Sequence, residues 1–492
     1  MRFHLKAPRR ISPPEGVDAT SPAVPFAAIV LAMLPAVLDQ TILATALPVI
    51  ASDLGSLSDV SWVVTAYVVA AAATTPLWGK LGDRHGRKLL LEVSLAVFVA
   101  ASALCGAAQD ITELIVLHFV QGAAAGGLMT LAMATVGDLV APRERGRYQG
   151  YIAATFAAAT VVGPLIGGLL VEHASWRWVF YVNLPIGLLA LGALSLRLPA
   201  PAADGTESPL DALGALLLAG ATTSLMLTCI WGGGRYAWDS PPIIATIAAT
   251  VLLSAALLGR ERRAADPIVP FDLLRTRAVA VASSALFLGT AALFSITVFV
   301  PLFLQTTTGA TPTQAGLLLV PAMVGITVST TLSGRSIVRT GRYKRFPIAG
   351  LALMAAALGL LAGLAGHPSQ VATGVGLALF GLGFGMVTQI LVVAVQNGVE
   401  RRQLGVATAV TSFFRALGGA VGAAILGAVF AAQAGAHVSD AGPQALAGAA
   451  RGDVIAGVQT VFAIAAPLAA LALVVVLWLP ESPLKTKGGR GR

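Results

Sequence analysis

The chain has 492 residues, 56% of them hydrophobic and only 11% charged, with a mean hydropathy of +0.82. Soluble chains carry about 25% charged residues, so this composition excludes a water-soluble globular protein and points to a polytopic membrane protein. The net charge of +9 does not indicate a nucleic-acid partner, because the basic residues fall in short loops between apolar runs, which is a topology signal.

Residues 1–25 are polar and proline-rich and read as a cytoplasmic tail. They do not form a cleavable signal peptide, since the apolar run that follows is too long. Fourteen apolar segments come next, near 26–46, 60–78, 89–108, 112–137, 148–171, 178–197, 210–230, 242–259, 278–304, 314–333, 346–365, 370–396, 405–430 and 454–479. Each is expected to be a helix, because backbone exposed to lipid must satisfy its own hydrogen bonds. Of the 32 lysines and arginines, 28 lie in the two tails and in the loops after even-numbered segments. Only Arg177, Arg235 and Arg451 lie in loops on the other side, and Arg415 lies inside a segment. Both termini are therefore expected in the cytoplasm. The seven tryptophans fall near segment ends or in loops, as interfacial aromatics do. Cys105 and Cys229 lie in apolar runs with no motif spacing and read as packing residues.

The first segment contains Asp39. A carboxylate within a spanning helix costs about 2.5–3.5 kcal/mol on insertion scales, so it is expected to face protein and to mark a pathway. It is the only carboxylate deep in any segment. After the second segment comes Gly79-Lys80-Leu81-Gly82-Asp83-Arg84-His85-Gly86-Arg87-Lys88. This is expected to be a loop in which Gly79 and Gly86 allow a tight turn. Asp83 there pairs with Arg84, with Arg87 or with the positive end of a facing helix. The fourth segment contains His118 and, three residues on and hence on the same face, Gln121. Segment one runs outward and segment four inward, so Asp39 and His118 each lie roughly 10 Å below the outer surface. A meeting between them is geometrically allowed. In the fifth segment, Gly163-Pro164-Leu165-Ile166-Gly167-Gly168 puts two glycines four residues apart for close helix approach, and Pro164 permits a bend.

Internal repetition divides the chain. Gly334–Lys344 repeats the Gly79–Lys88 pattern at an offset of 255, with Val338 in place of Asp83. Val399–Gly405 repeats the spacing of Val140–Gly146, and Gly422 corresponds to Gly163. The expected organisation is a tail (1–25), a six-helix bundle (26–197), an inserted helix pair with linkers (198–277), a second six-helix bundle (278–479) and a basic cytoplasmic tail (480–492). In the second linker, Ile268–Leu274 reads equally as an amphipathic segment on the membrane surface or as a plain connector. Residues 431–452 form the longest outer loop. In segment twelve, Gly381, Gly383 and Gly385 suggest close packing, while Gln389 and Gln396 either line a path or cross-link neighbours. In segment thirteen, Arg415 either lines a cavity or snorkels to the inner surface. There is no Walker loop, no Ser/His/Asp arrangement and no metal-ligand cluster, so no enzyme activity and no cofactor are expected.

The Gly79–Lys88 stretch resembles the signature of the major facilitator superfamily, Gly-x-Leu-x-Asp-Arg-x-Gly-Arg-Arg/Lys. Gly163–Gly168 resembles that family's antiporter motif, Gly-Pro-x-x-Gly-Gly. Together with Trp176–Gly187 and the Asp39 region, the chain resembles the fourteen-helix drug:proton antiporter branch (QacA/EmrB type) over residues of about 26 to 480. The resemblance implies an all-α integral membrane protein of the major facilitator fold, with two six-helix bundles plus two inserted helices. It implies a cytoplasmic gate at Gly79, Asp83, Arg84, Gly86 and Arg87, and an antiporter motif at Gly163, Pro164, Gly167 and Gly168. The family pattern in segment four is Arg-x-x-Gln-Gly-x-Gly. Here Gln121 and Gly122 match, but His118 stands where the family has an arginine implicated in proton coupling. Asp39 and His118 are thus the implied proton-coupling residues, and Asp39, Gln121, Arg415 and Gln389 the implied substrate cavity. The implied activity is proton-driven multidrug efflux of lipophilic, often cationic, compounds by alternating access. The implied protein is a monomer in the plasma membrane, with the proton gradient as its energy source. Export of a lipid or an endogenous metabolite is the alternative, and a non-transporting sensor or assembly subunit is a further one. A solute importer is disfavoured by the antiporter motif.

Overall fold

The computed structural model describes residues 22–54, 60–199, 210–233, 235–308, 317–366, 369–434, 451–482 and 484. The readings made above for most of both tails, for the linker at 200–209 and for the outer loop at 435–450 lie outside these residues. The described chain is helical. The helices are α1 (Ala23–Asp53), α2 (Val60–His85), α3 (Arg87–Ala107), α4 (Ile111–Leu139), α5 (Arg145–His173), α6 (Trp178–Tyr181) and α7 (Asn183–Arg197), then α8 (Ala212–Trp231), α9 (Pro241–Glu261) and the short α10 (Phe271–Arg275). They continue as α11 (Arg277–Thr308), α12 (Val320–Thr340), α13 (Arg345–Leu364), α14 (Gln370–Gly385), α15 (Thr388–Gly398), α16 (Leu404–Ala434) and α17 (Arg451–Val476). Among the described residues, thirteen helical stretches are long and apolar enough to cross a membrane. The 21-residue α12 has the length as well, but serine, threonine and arginine dilute its second half.

The α1–α7 and α11–α17 halves each bury their own apolar core. The hairpin α8–α9 packs through α8 on α2 and α16, one helix from each half. Arg260 ties the hairpin closed by donating from Nε to Asp211 (2.9 Å), which also caps α8 through Gly214 N (3.0 Å). The repeat is visible in the turns. α2 and α3 are separated only by Gly86, with φ 92°, and α12 turns toward α13 at Gly341, with φ 70°. Both are left-handed positions that favour glycine, and they stand 255 residues apart.

Four local expectations need correction. Gly79–Lys88 is not a loop: α2 stays helical through His85 and α3 begins at Arg87. Hydropathy marks where apolar side chains stop, not where backbone hydrogen bonding stops. Segment twelve is not continuous, since Met386 and Val387 separate α14 from α15. Its glycines bring the backbone against neighbours: a Cβ on Gly383 would lie 2.5 Å from Gly350 O, and Thr330 Oγ1 donates to Gly385 O at 2.8 Å. That bond satisfies a carbonyl at the break. Segment six is likewise divided at Val182, between α6 and α7. The second linker is docked rather than lying free on a surface. Ile268 and Leu273 are buried, Glu261 accepts from Ile268 N and Val269 N, and Asp266 pairs with Lys80.

Candidate functional site: a sealed carboxyl cluster beside a central cavity

Asp39 on α1 is fully buried. Its Oδ1 accepts from Gln121 Nε2 on α4 at 3.0 Å and from Asn183 Nδ2 at the start of α7 at 2.8 Å. Its Oδ2 lies 3.1 Å from His118 Nε2. Asn183 also donates to Ser102 Oγ on α3 at 3.0 Å, and Cys105 Sγ reaches Gln121 Oε1 at 3.5 Å. The glycines of α4 make this possible: a Cβ on Gly122 would lie 2.6 Å from Tyr67 Cα, so α4 lies directly on α2. His118, one turn earlier, then reaches the Val63 carbonyl with Nδ1 at 2.6 Å. The Tyr67 and Phe180 rings stand 4.7 and 5.8 Å from the imidazole and wall it in.

The two ring contacts constrain the protons. A backbone carbonyl only accepts, so the bond to Val63 needs a proton on Nδ1. Nε2 faces a carboxyl oxygen, and a neutral imidazole has no second N–H to offer. Both contacts are hydrogen bonds only when one further proton is present, on Nε2 or on Asp39 Oδ2. The cluster is thus complete when it holds a proton.

A cavity of about 230 Å³ lies between the halves. Its walls include Met33, Met129, Met133 and Phe156 from the first half, and Met323, Phe384, Gln389 and Arg415 from the second. Of the residues implied for a substrate cavity, Arg415 and Gln389 line this one, and Arg415 is exposed within it. Asp39 and Gln121 do not line it. Both are 0% exposed, because the amide and imidazole donors enclose the carboxyl group.

The halves are joined at the arginine-rich end, and among the described residues the hydrogen bonds and ion pairs between them lie there. Asp83 accepts from Gly405 N (2.9 Å) and Val406 N (2.8 Å), the first turn of α16, where a helix dipole favours an anion. Gly79 faces Gly405 and Ala409 so closely that no Cβ fits. Arg87 pairs with both Asp83 and Asp138, and Asp138 also takes Arg401 at 3.3 Å. Arg84 takes no part and faces Asp266 instead. The repeat of this latch has no carboxylate. In its place Arg143 donates to the carbonyls of Val338 (2.6 Å) and Arg339 (2.7 Å) at the end of α12, where the dipole favours a cation. Gln396 joins this seal by donating to Met133 O at 3.1 Å.

The glycines of α5 face α1. On Gly167 a Cβ would lie 2.7 Å from Ile42 O, and on Gly163 it would collide with Thr41 Oγ1. Gly168 has nothing within 4 Å. Pro164 points away from this contact and is exposed. The sequence reading gave no role to Asn183, although depth was a usable signal: it lies five residues inside segment six from the outer end, at about the level of Asp39 and His118.

A bundle of spanning helices in two repeated halves, with a cavity between them closed at one end, is the plan shared by many membrane transporters. The sequence profile of the Major Facilitator Superfamily matches residues 29–423, and the chain belongs to that family. It is 38% identical over 405 residues to an uncharacterized MFS-type transporter of Mycobacterium tuberculosis, covering 82% of this chain and 59% of that protein; it thus spans about three fifths of that relative's length. It is 35% identical over 412 residues to the multidrug transporter protein MdtP of Bacillus subtilis, covering 84% of this chain and 76% of the relative. Among solved structures, the proton:xylose symporter XylE shares the fold, with a TM-score of 0.66 at 14% identity, covering 94% of this chain and 97% of that one.

Proposed function

We propose that the protein is a proton-coupled exporter of lipophilic small molecules in the plasma membrane, of the fourteen-helix drug:proton antiporter branch. The observation that carries this reading is the Asp39–His118 contact, whose hydrogen bonding is complete only with a proton on board. The multidrug relative in Bacillus subtilis supports the cargo class. With both termini in the cytoplasm, the joined arginine-rich end is the cytoplasmic gate, and the arrangement is an outward-facing one.

In this reading, proton and cargo do not compete for one carboxylate. The proton enters a sealed cluster on α1, α4 and α7, while cargo enters a cavity lined by Met33 of α1 and Met129 and Met133 of α4. Coupling runs through the shared helices: loss of the proton leaves facing lone pairs between Asp39 and His118, which drives α1 and α4 apart and reshapes the cavity wall. Proteoliposomes with an internal pH dye test it. Wild-type protein should release protons in step with dye uptake, and Asp39→Asn should abolish that exchange. Intact coupled exchange in Asp39→Asn refutes the reading.

A further inference from the structure

The cavity wall carries a charge of one sign. Among the described residues that line it, Arg415 is the only ionic side chain. It is exposed to the cavity and, among the described residues, has no hydrogen-bond or ion-pair partner. It lies eleven residues into α16, about 17 Å along the helix, and a guanidinium at such a depth ordinarily pairs with an acid or a carbonyl. The break at Met386 and Val387 places Thr388 and Gln389, the first turn of the eleven-residue α15, on the same wall. The Gln389 amide has a buried oxygen with no partner, and rotation of the amide would present its N–H groups to a ligand. The one deep carboxyl group, Asp39, is sealed behind the wall among its own donors.

We propose that the cargo of this cavity is a lipophilic organic anion, held by its carboxylate on Arg415 with help from Gln389. Its apolar body lies against Met33, Met129, Met133 and Met323, whose flexible thioethers suit varied shapes. This inference rests on the export reading for its physiological sense and departs from it on the sign of the cargo's charge. A cation in the same place would face the guanidinium with no acid among the described lining residues to offset it.

Equilibrium binding to the purified protein, by calorimetry without any pH gradient, tests it with three matched probes: naphthylbutyrate, naphthylbutanol and naphthylbutyl-trimethylammonium. The butyrate should bind about ten- to a hundredfold more tightly than the alcohol, as one charge-assisted pair provides. The ammonium should bind more weakly than the alcohol. R415Q should reduce the butyrate to the level of the alcohol and leave the alcohol unchanged, and R415K should restore part of the preference. Binding of the alcohol or ammonium as tight as that of the butyrate overturns the proposal. So does absence of butyrate binding, or a preference that survives R415Q. If R415Q fails to fold, the wild-type ranking and R415K decide. Proton coupling plays no part in this measurement, so its result and that of the Asp39→Asn flux experiment stand or fall separately.

Discussion

His118 Nε2 lies 3.1 Å from Asp39 Oδ2 while its Nδ1 lies 2.6 Å from the Val63 carbonyl, so one imidazole bridges α1 and α2 from its place on α4. Replacing it by arginine keeps a donor toward Asp39 but removes the titratable ring. His118→Arg should therefore change the pH profile of transport. Flux measured across a pH series checks this, and an unchanged profile would mean that His118 serves only packing.

Asp39→Asn and Asp39→Ala should separate folding from coupling. Asparagine offers an oxygen to Gln121 and Asn183 and an N–H to His118 Nε2, so the protein should fold with little loss of stability. Alanine leaves the buried donors of Gln121, Asn183 and His118 without their acceptor, at a cost of about 3–5 kcal/mol. Thermal unfolding in detergent should place Asp39→Ala well below both wild type and Asp39→Asn.

Asp83 holds the first turn of α16 through two backbone bonds. Removing such a charged cap costs about 1–2 kcal/mol. Asp83→Ala should therefore move the open–closed equilibrium at the arginine-rich end about five- to thirtyfold toward open. Spin labels at Glu144 and Arg342, both exposed, should report a second, longer distance in Asp83→Ala and a single short one in wild type.

The two adjacent glycines of α5 should behave differently. Gly167→Ala forces a methyl group to within 2.7 Å of the Ile42 carbonyl, and overpacking of this kind costs about 1–3 kcal/mol. Gly168→Ala meets open space and should be neutral. Unfolding temperatures and flux of the two variants check this, and equal effects would rule out close α1–α5 packing as the role of the motif.

Much of the architecture is legible in the sequence because hydropathy and glycine spacing are direct physical requirements of a helix in lipid. Depth makes the Asp39–His118 contact possible, since two helices of opposite direction with polar groups at equal depth bring those groups level; the packing of α1 against α4 completes it. The break at Met386 is not legible. It arises where glycines admit α12 and α13 and where Thr330, distant in sequence, satisfies the freed carbonyl. Nor does the sequence reveal that Asp39 is enclosed. That depends on Asn183, which donates to Asp39 and to Ser102 from the start of α7. Arg415 reads as a cavity residue or a snorkelling one until the surrounding wall is known.

Arg415 also bears on the electrical behaviour of the transport cycle. A proton moving inward and an organic anion moving outward carry current in the same direction, so an exchange of one for one would move two elementary charges per turnover. Each charge gains about 2.3 kcal/mol from 100 mV across the membrane. Such a carrier would draw on membrane voltage as well as on the pH difference, and would keep working where voltage alone remains.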